Sequence, residues 1–115
     1  MQVYSELIES LKRCDAACNN CVISCIEEED IKLMSNCIKL NLHCAEVCHL
    51  AMRVVARDSD HAVSAVELCV NICAECATEC EKYEYEQCLL SAEACRRTEA
   101  HCRNYLKQAA EPESI

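Results

Sequence analysis

The chain predicts an all-α fold: an antiparallel up-down-up-down four-helix bundle with a cysteine-lined core. Three observations carry that expectation. Fourteen of the 115 residues are cysteine, and they fall at helical spacing. Glycine is absent and the one proline, Pro112, lies in the tail, so the usual residue for primed hairpin turns and left-handed helix ends is missing. Lys, Glu, Ala, Leu, Gln and Arg, which favour helix, supply much of the remainder.

The first helix is placed at about Val3 to Glu27. Its Cys14, Cys18, Cys21 and Cys25 follow C-x3-C-x2-C-x3-C. At about 100° per residue they fall inside an arc of roughly 60° on one face. The second helix runs from about Ile31 to Ala56, with Asp30 able to cap it, and carries Cys37, Cys44 and Cys48. The third runs from about Ser59 to Glu81, with Asp58 or Ser59 as its cap. It repeats the first pattern through Cys69, Cys73, Cys76 and Cys80. The fourth runs from about Tyr85 to Gln108 and carries Cys88, Cys95 and Cys102. Each is about 25 residues, or ~35 Å, long. Residues 110–115 read as a frayed tail, and 1–115 as a single domain. Short connections make sequential neighbours antiparallel.

Four helices with one sulfur face each can bury those faces only against one another. Antiparallel packing brings Cys25, Cys37, Cys80 and Cys88 towards the end that holds the first and third connections. Cys14, Cys48, Cys69 and Cys102 lie deeper. Below them the stripes turn apolar, through Leu7, Leu11, Met52, Val55, Ala62, Val66 and Leu106. That end reads as a hydrophobic plug and the other as the more open mouth. A shift of 55 residues maps the first helix's cysteines onto the third's, and a shift of 51 maps Cys37 and Cys44 onto Cys88 and Cys95. Either a helical hairpin was duplicated or one packing demand was met twice.

Net charge is −9, with no basic patch, which argues against nucleic acid. No run of 18 apolar residues is present, so no membrane span is expected. MQVYSELIESLKRC has no apolar signal core, so the expected compartment is the cytoplasm, where thiols stay reduced.

That compartment disfavours disulfides. So does helix geometry, because i,i+4 Cβ atoms stand ~6 Å apart and a disulfide needs about 3.5–4.5 Å. Inert packing explains one or two buried cysteines, not four stripes. Zinc needs four ligands, and neither ferredoxin cysteine run is present. Soft Cu(I) fits the thiols best. Candidate pairs are Cys14/Cys18, Cys21/Cys25, Cys44/Cys48, Cys69/Cys73 and Cys76/Cys80, with Cys37/Cys44 and Cys88/Cys95 as i,i+7 extensions. Apo thiols can stay neutral in an apolar core, and each copper then displaces about one proton. Binding is expected to weaken at low pH.

These runs, with the spaced cysteines of the second and fourth helices, resemble the bacterial copper storage proteins over about residues 3 to 108. The resemblance implies a bundle filled with several Cu(I) ions, held mainly by pairs of cysteines, and homotetramers of bundles. Without a leader, the chain is similar to the family's cytosolic branch. Family members differ in whether Met or His lines the entrance. Met34, three residues before Cys37, is the candidate extra ligand here, with packing at a helix end as the alternative. His43, His49 and His101 each neighbour a cysteine and so lie about 100° off the sulfur stripe; His61 is about 80° off. All four are expected at the surface or its boundary. Tyr83 and Tyr85 flank the mouth.

The expected function is storage, sequestration and detoxification of Cu(I), without catalysis. Copper donor or acceptor proteins, or small thiols, are the expected partners. The alternative is a thiol-redox or zinc-binding bundle. Cys18-x2-Cys21 and Cys73-x2-Cys76 lie mid-helix, away from the N-terminal position that activates redox thiols. A metal sensor would need a DNA-binding feature, and none accompanies the thiols.

Overall fold

A computed structural model describes residues 2–111, with side chains from Tyr4 onward. Four α-helices form the bundle: α1 Gln2–Ile26, α2 Ser35–Ala56, α3 Ala62–Cys80 and α4 Glu86–Ala110. A 3-10 helix, Ile31–Met34, leads into α2. Each helix packs on two neighbours, α1 and α3 both lying against α2 and α4. The antiparallel sense is written in sulfur. Cys37, Cys44 and Cys48 ascend α2 as their partners Cys80, Cys73 and Cys69 descend α3. Between α1 and α4, Cys18 meets Cys95 and Cys25 meets Cys88.

The helix ends depart from the expected caps. Asp30 makes no side-chain cap bond; its carbonyl instead accepts from the Leu33 N–H at 2.9 Å, which begins the 3-10 turn. The expected second helix therefore divides into a tight turn and a regular helix, and the turn carries Met34 inward. The third helix starts at Ala62 rather than Ser59, because Asp58 and Ser59 are used to end α2. Asp58 takes φ 52°. Its N–H returns to the Val55 carbonyl and that of Ser59 to the Val54 carbonyl, each at 3.0 Å. This pair of bonds is a Schellman ending, with aspartate where glycine is usual. Neither Asp58 nor Ser59 is the cap of α3. His61 holds that position without a side-chain bond, and Ser59 Oγ accepts from its N–H at 3.0 Å. The expected tail lies outside the described residues from 112 onward.

The plug forms where apolar residues replace cysteine on the inward stripes. Leu7, Leu11, Val55, Ala62 and Val66 are buried there, joined by Ala51 and Tyr105. Met52 and Leu106 pack against them from the boundary. The Tyr105 ring lies 5.3 Å from that of Tyr4. Branched aliphatic side chains bury more apolar area each than cysteine does, so this end holds the bundle most strongly per residue.

Asp58→Val is expected to lower the unfolding free energy of the metal-free protein by about 1–2 kcal/mol, because a β-branched residue tolerates the left-handed region badly. Asp58→Gly should leave it unchanged or slightly raised. Urea unfolding followed by far-UV circular dichroism separates the two outcomes.

Candidate metal centre

The inward stripe of each helix is sulfur for three or four turns, and all fourteen thiols are free and buried without exposed surface. Within a helix, the i,i+4 pairs Cys14/Cys18, Cys21/Cys25, Cys44/Cys48 and Cys69/Cys73 hold their Sγ atoms 4.0, 3.8, 4.0 and 3.8 Å apart. Cys76 and Cys80 also interact through their side chains. The two i,i+7 extensions are interrupted. Asn41 stands one turn after Cys37 and Ser91 stands between Cys88 and Cys95, each fully buried on the same face. Cys37 turns instead to Cys80 at 3.7 Å and Cys88 at 3.9 Å on other helices.

Contacts between helices complete the mesh. Cys44 touches Cys14, Cys73 and Cys95 at 4.0, 3.7 and 3.8 Å. Cys48 reaches Cys69 at 3.7 Å. Three four-sulfur groups have all their Sγ atoms within 4.8 Å of one another: Cys14, Cys44, Cys48 and Cys73; Cys14, Cys18, Cys44 and Cys95; and Cys21, Cys25, Cys37 and Cys88. Cys102 lies beside Cys69, and Cys76 beside Cys18, Cys44 and Cys95. Each group draws on three helices, so it exists only in the folded bundle.

Polar side chains share this core. Asn41 Nδ2 donates to the Cys37 carbonyl at 2.8 Å and lies 3.2 Å from Cys80 Sγ. Ser91 donates to Asn41 Oδ1 at 2.6 Å. Deeper, Ser10 and Thr98 bring their hydroxyl oxygens to 2.8 Å and tie α1 to α4. No buried side-chain nitrogen or oxygen among the described residues lacks a partner. These residues were legible in principle, since Asn41, Ser91 and Thr98 sit three or four positions from a cysteine.

The more open end of the expectation nevertheless exposes no sulfur. Cys25, Cys37, Cys80 and Cys88 have no exposed surface, and Met34 is 1% exposed. Met34 lies in the core cluster with them. Glu79 forms the latch at this end. Its Oε1 accepts from Asn36 at 3.0 Å and from Lys82 at 2.9 Å, and its Oε2 lies 2.9 Å from the Tyr83 hydroxyl. That hydroxyl is also 3.0 Å from the Leu33 carbonyl oxygen, which joins the end of α3 to the 3-10 helix. The Lys82 ammonium is the first cause that holds the Glu79 carboxyl below its usual range. Burial, then Glu79, pushes the Tyr83 phenol up to about 12. Gln87 bridges to Glu28 at 2.9 Å and lies over Cys25. Tyr85 is half-buried beside them.

The histidines stand apart from the sulfur. His43, His49 and His61 are exposed and His101 is half-buried. His49 Nδ1 lies 3.4 Å from an Asp15 carboxylate oxygen on the outer surface.

Burial disfavours a bare thiolate. For Cys88 it is the leading cause, followed by the nearby Cys25, and the thiol is pushed up to about 12. Cys102 is raised by its bond to Cys69 and then by burial. Cys80 runs the other way. Cys21 and Cys37 lead the donors that favour its thiolate, and Asn41 adds an N–H. Burial and neighbouring thiols thus keep the proton on Cys88 and Cys102, while Cys80 has local donors placed to favour its thiolate.

Known proteins share both pattern and shape. Residues 1–107 match the family model described as copper storage protein. The uncharacterized cysteine-rich protein YhjQ of Bacillus subtilis is 38% identical over 105 residues, covering 90% of this chain and 97% of that protein. The Cu(I)-bound copper storage protein BsCsp3 superposes with a TM-score of 0.84 at 38% identity, covering 88% of this chain and 96% of its own. A cytosolic copper storage protein from Streptomyces lividans, with five coppers, superposes with a TM-score of 0.89 at 29% identity, covering 92% and 93%.

Buried neutral thiols make the metal-free bundle sensitive to alkali. Unfolded, such a thiol ionises near 9.0, whereas folded Cys88 holds its proton to about 12. Between those values the unfolded chain has lost a proton that the folded chain keeps, so raising the pH favours unfolding. Stability from this source is full below pH ~9 and declines towards pH ~12. Urea midpoints measured at pH about 8 and about 10.5 are expected to fall; equal midpoints would contradict neutral buried thiols.

Proposed function

The chain belongs to the copper storage protein family, and from that premise we propose that it takes up many Cu(I) ions and holds them on the thiols of its bundle core. One observation carries the reading: fourteen reduced, fully buried cysteines whose sulfurs lie within contact distance of one another across four helices. Cu(I) is a soft cation that prefers thiolate sulfur and accepts few ligands. The many sulfur contacts of the core offer it two- and three-ligand sites. The proposed ligands are all fourteen cysteines from Cys14 to Cys102, with Met34 as a weak thioether ligand at the mouth, where it lies with Cys37 in one core cluster.

The same burial argues against catalysis. A redox thiol must meet its partner, and no thiol here has exposed surface. The role is storage and sequestration, which also lowers the toxicity of free Cu(I). We place it in the cytoplasm, as for the Streptomyces lividans relative described as cytosolic. No helix among the described residues is long and apolar enough to cross a membrane. The whole chain acts as one copper-binding domain and assembles as a homotetramer, exchanging copper with donor or acceptor proteins or small thiols. A zinc-binding or thiol-redox bundle is the competing reading.

An anaerobic Cu(I) titration of the reduced protein against a chromophoric chelator tests this, with zinc run in parallel. Uptake is expected to saturate near the thiol count, with copper preferred over zinc. One or two ions per chain, or a preference for zinc, would contradict storage. Cys44→Ser, which removes a corner shared by two four-sulfur groups, should cost more copper than Cys102→Ser.

A further inference from the structure

The seam between α1 and α4 is a ladder of side-chain contacts running from mouth to plug. Its rungs are Cys25–Cys88 at 3.8 Å, Cys18–Cys95 at 3.9 Å, Cys14–Cys95 at 3.8 Å and then Ser10–Thr98 at 2.8 Å. The last of these joins two hydroxyls. Thr98 stands on the inward stripe of α4 between Cys95 and Cys102, and Ser10 stands one turn before Cys14 on α1. Thr98 and these cysteines have no exposed surface, but Ser10 keeps 6% of its own. That surface opens into a cavity of about 430 Å³ on the outside of the seam. The hydroxyl pair thus links an outer cavity to the deep thiols Cys14, Cys95 and Cys102.

The cavity carries both signs of charge on a protein whose net charge is −9. Glu6, Glu9 and Arg13 of α1 line it, as do Arg97 and His101 of α4. Arg13 Nε lies 3.3 Å from Glu9, and Arg97 lies 2.7 Å from Glu93. These four side chains are more than half exposed, so their pairs contribute little and can give way to a ligand. His101 directly precedes Cys102, so the α4 wall leads to a core thiol. The volume falls in the range of small-molecule sites, about 300–1,000 Å³. Guanidinium groups recognise a carboxylate, and the glutamates recognise an ammonium group. An amino-acid or short-peptide thiol bears both and satisfies the whole lining. A ligand of one sign meets like charge there.

We propose that this cavity binds a zwitterionic small thiol, which takes copper from the deep cysteines through the Ser10–Thr98 rung. This rests on the copper reading above. The exchange balances without a redox step. A bond forms between copper and the incoming sulfur, and one between copper and a protein cysteine breaks. The incoming thiol's proton passes to that cysteine, so the core stays near neutral as it empties. The rung suits this passage. Thr98 has a second acceptor in the Ser10 carbonyl, 3.2 Å away, so parting the two hydroxyls does not strand it. The leucines of the plug offer a polar ligand no such partner.

Anaerobic copper loss from the fully loaded wild-type protein tests this, with L-cysteine, 3-mercaptopropionate and cysteamine supplied at equal thiolate concentration. Copper left on the protein is measured after desalting at timed intervals. L-Cysteine is expected to act fastest, at a rate that saturates with its concentration. Each thiol lacking one charge should be about threefold slower, the scale of one exposed ion pair. The Arg13→Gln, Arg97→Gln double variant should lose the advantage of L-cysteine over cysteamine and keep its full copper capacity. An undiminished advantage in that variant would overturn the site. Thr98→Val keeps the shape of the rung without its hydroxyl and should slow release by L-cysteine. Release unchanged or faster would overturn the route. Wild-type protein that takes up no copper would overturn the storage reading and this proposal with it. Loaded protein that yields copper equally to all three thiols would overturn the proposal alone.

Discussion

A thiol can be buried as a small apolar group only while it keeps its proton. The architecture of this bundle rests on that constraint. Fourteen ionised sulfurs in a core one helix-diameter wide would repel one another beyond anything the apolar plug could offset. Kept protonated, sulfurs can pack at the 3.7–4.0 Å seen here as ordinary core atoms, each a weak donor and acceptor for the next. Cation binding then does no violence to the core. A soft monovalent ion replaces a proton, charge for charge, and the packing distances already suit a shared ligand.

Closure at the mouth follows from the same constraint. Water admitted to the sulfur would solvate thiolates and undo the neutrality, so the end with the connecting turns is roofed. Met34 fills it with a flexible apolar side chain that also carries sulfur. Glu79 fixes the roof by gathering Asn36, Lys82 and Tyr83, and Tyr83 ties in the 3-10 turn. Copper reaching the core through this end requires the latch to open locally. A turn held by a few hydrogen bonds opens more readily than the plug does.

Much of this was legible in the sequence, and the reasons are physical. The C-x3-C-x2-C-x3-C runs have one helical solution, so the helices and the inward direction of their cysteines followed from periodicity, and the antiparallel order from the short connections. The plug followed from Leu7, Leu11, Val55 and Val66 continuing the same stripes. What did not follow concerns residues with two competing roles. Asp58 and Ser59 are good helix starters, yet in a chain without glycine something must end α2, and Asp58 does so at φ 52°. Asn41, Ser91 and Thr98 are on the sulfur stripe by spacing, but polar residues are usually exposed. Only the placement of facing helices shows that Asn41 and Ser91 satisfy each other. The closed mouth depended likewise on Glu79 reaching groups from other segments.

The claim at the centre of this account is that copper exchanges for thiol protons. It is tested most directly by counting protons released per Cu(I) added, in weakly buffered anaerobic solution, across the whole loading range. The account predicts about one proton per copper throughout, as neutral thiols become shared thiolates and the core stays near neutral. Release close to zero would mean that the thiolates were already formed in the metal-free bundle. Release close to two per copper would mean that each ion takes its own pair and the core fills with negative charge. Either result would contradict it.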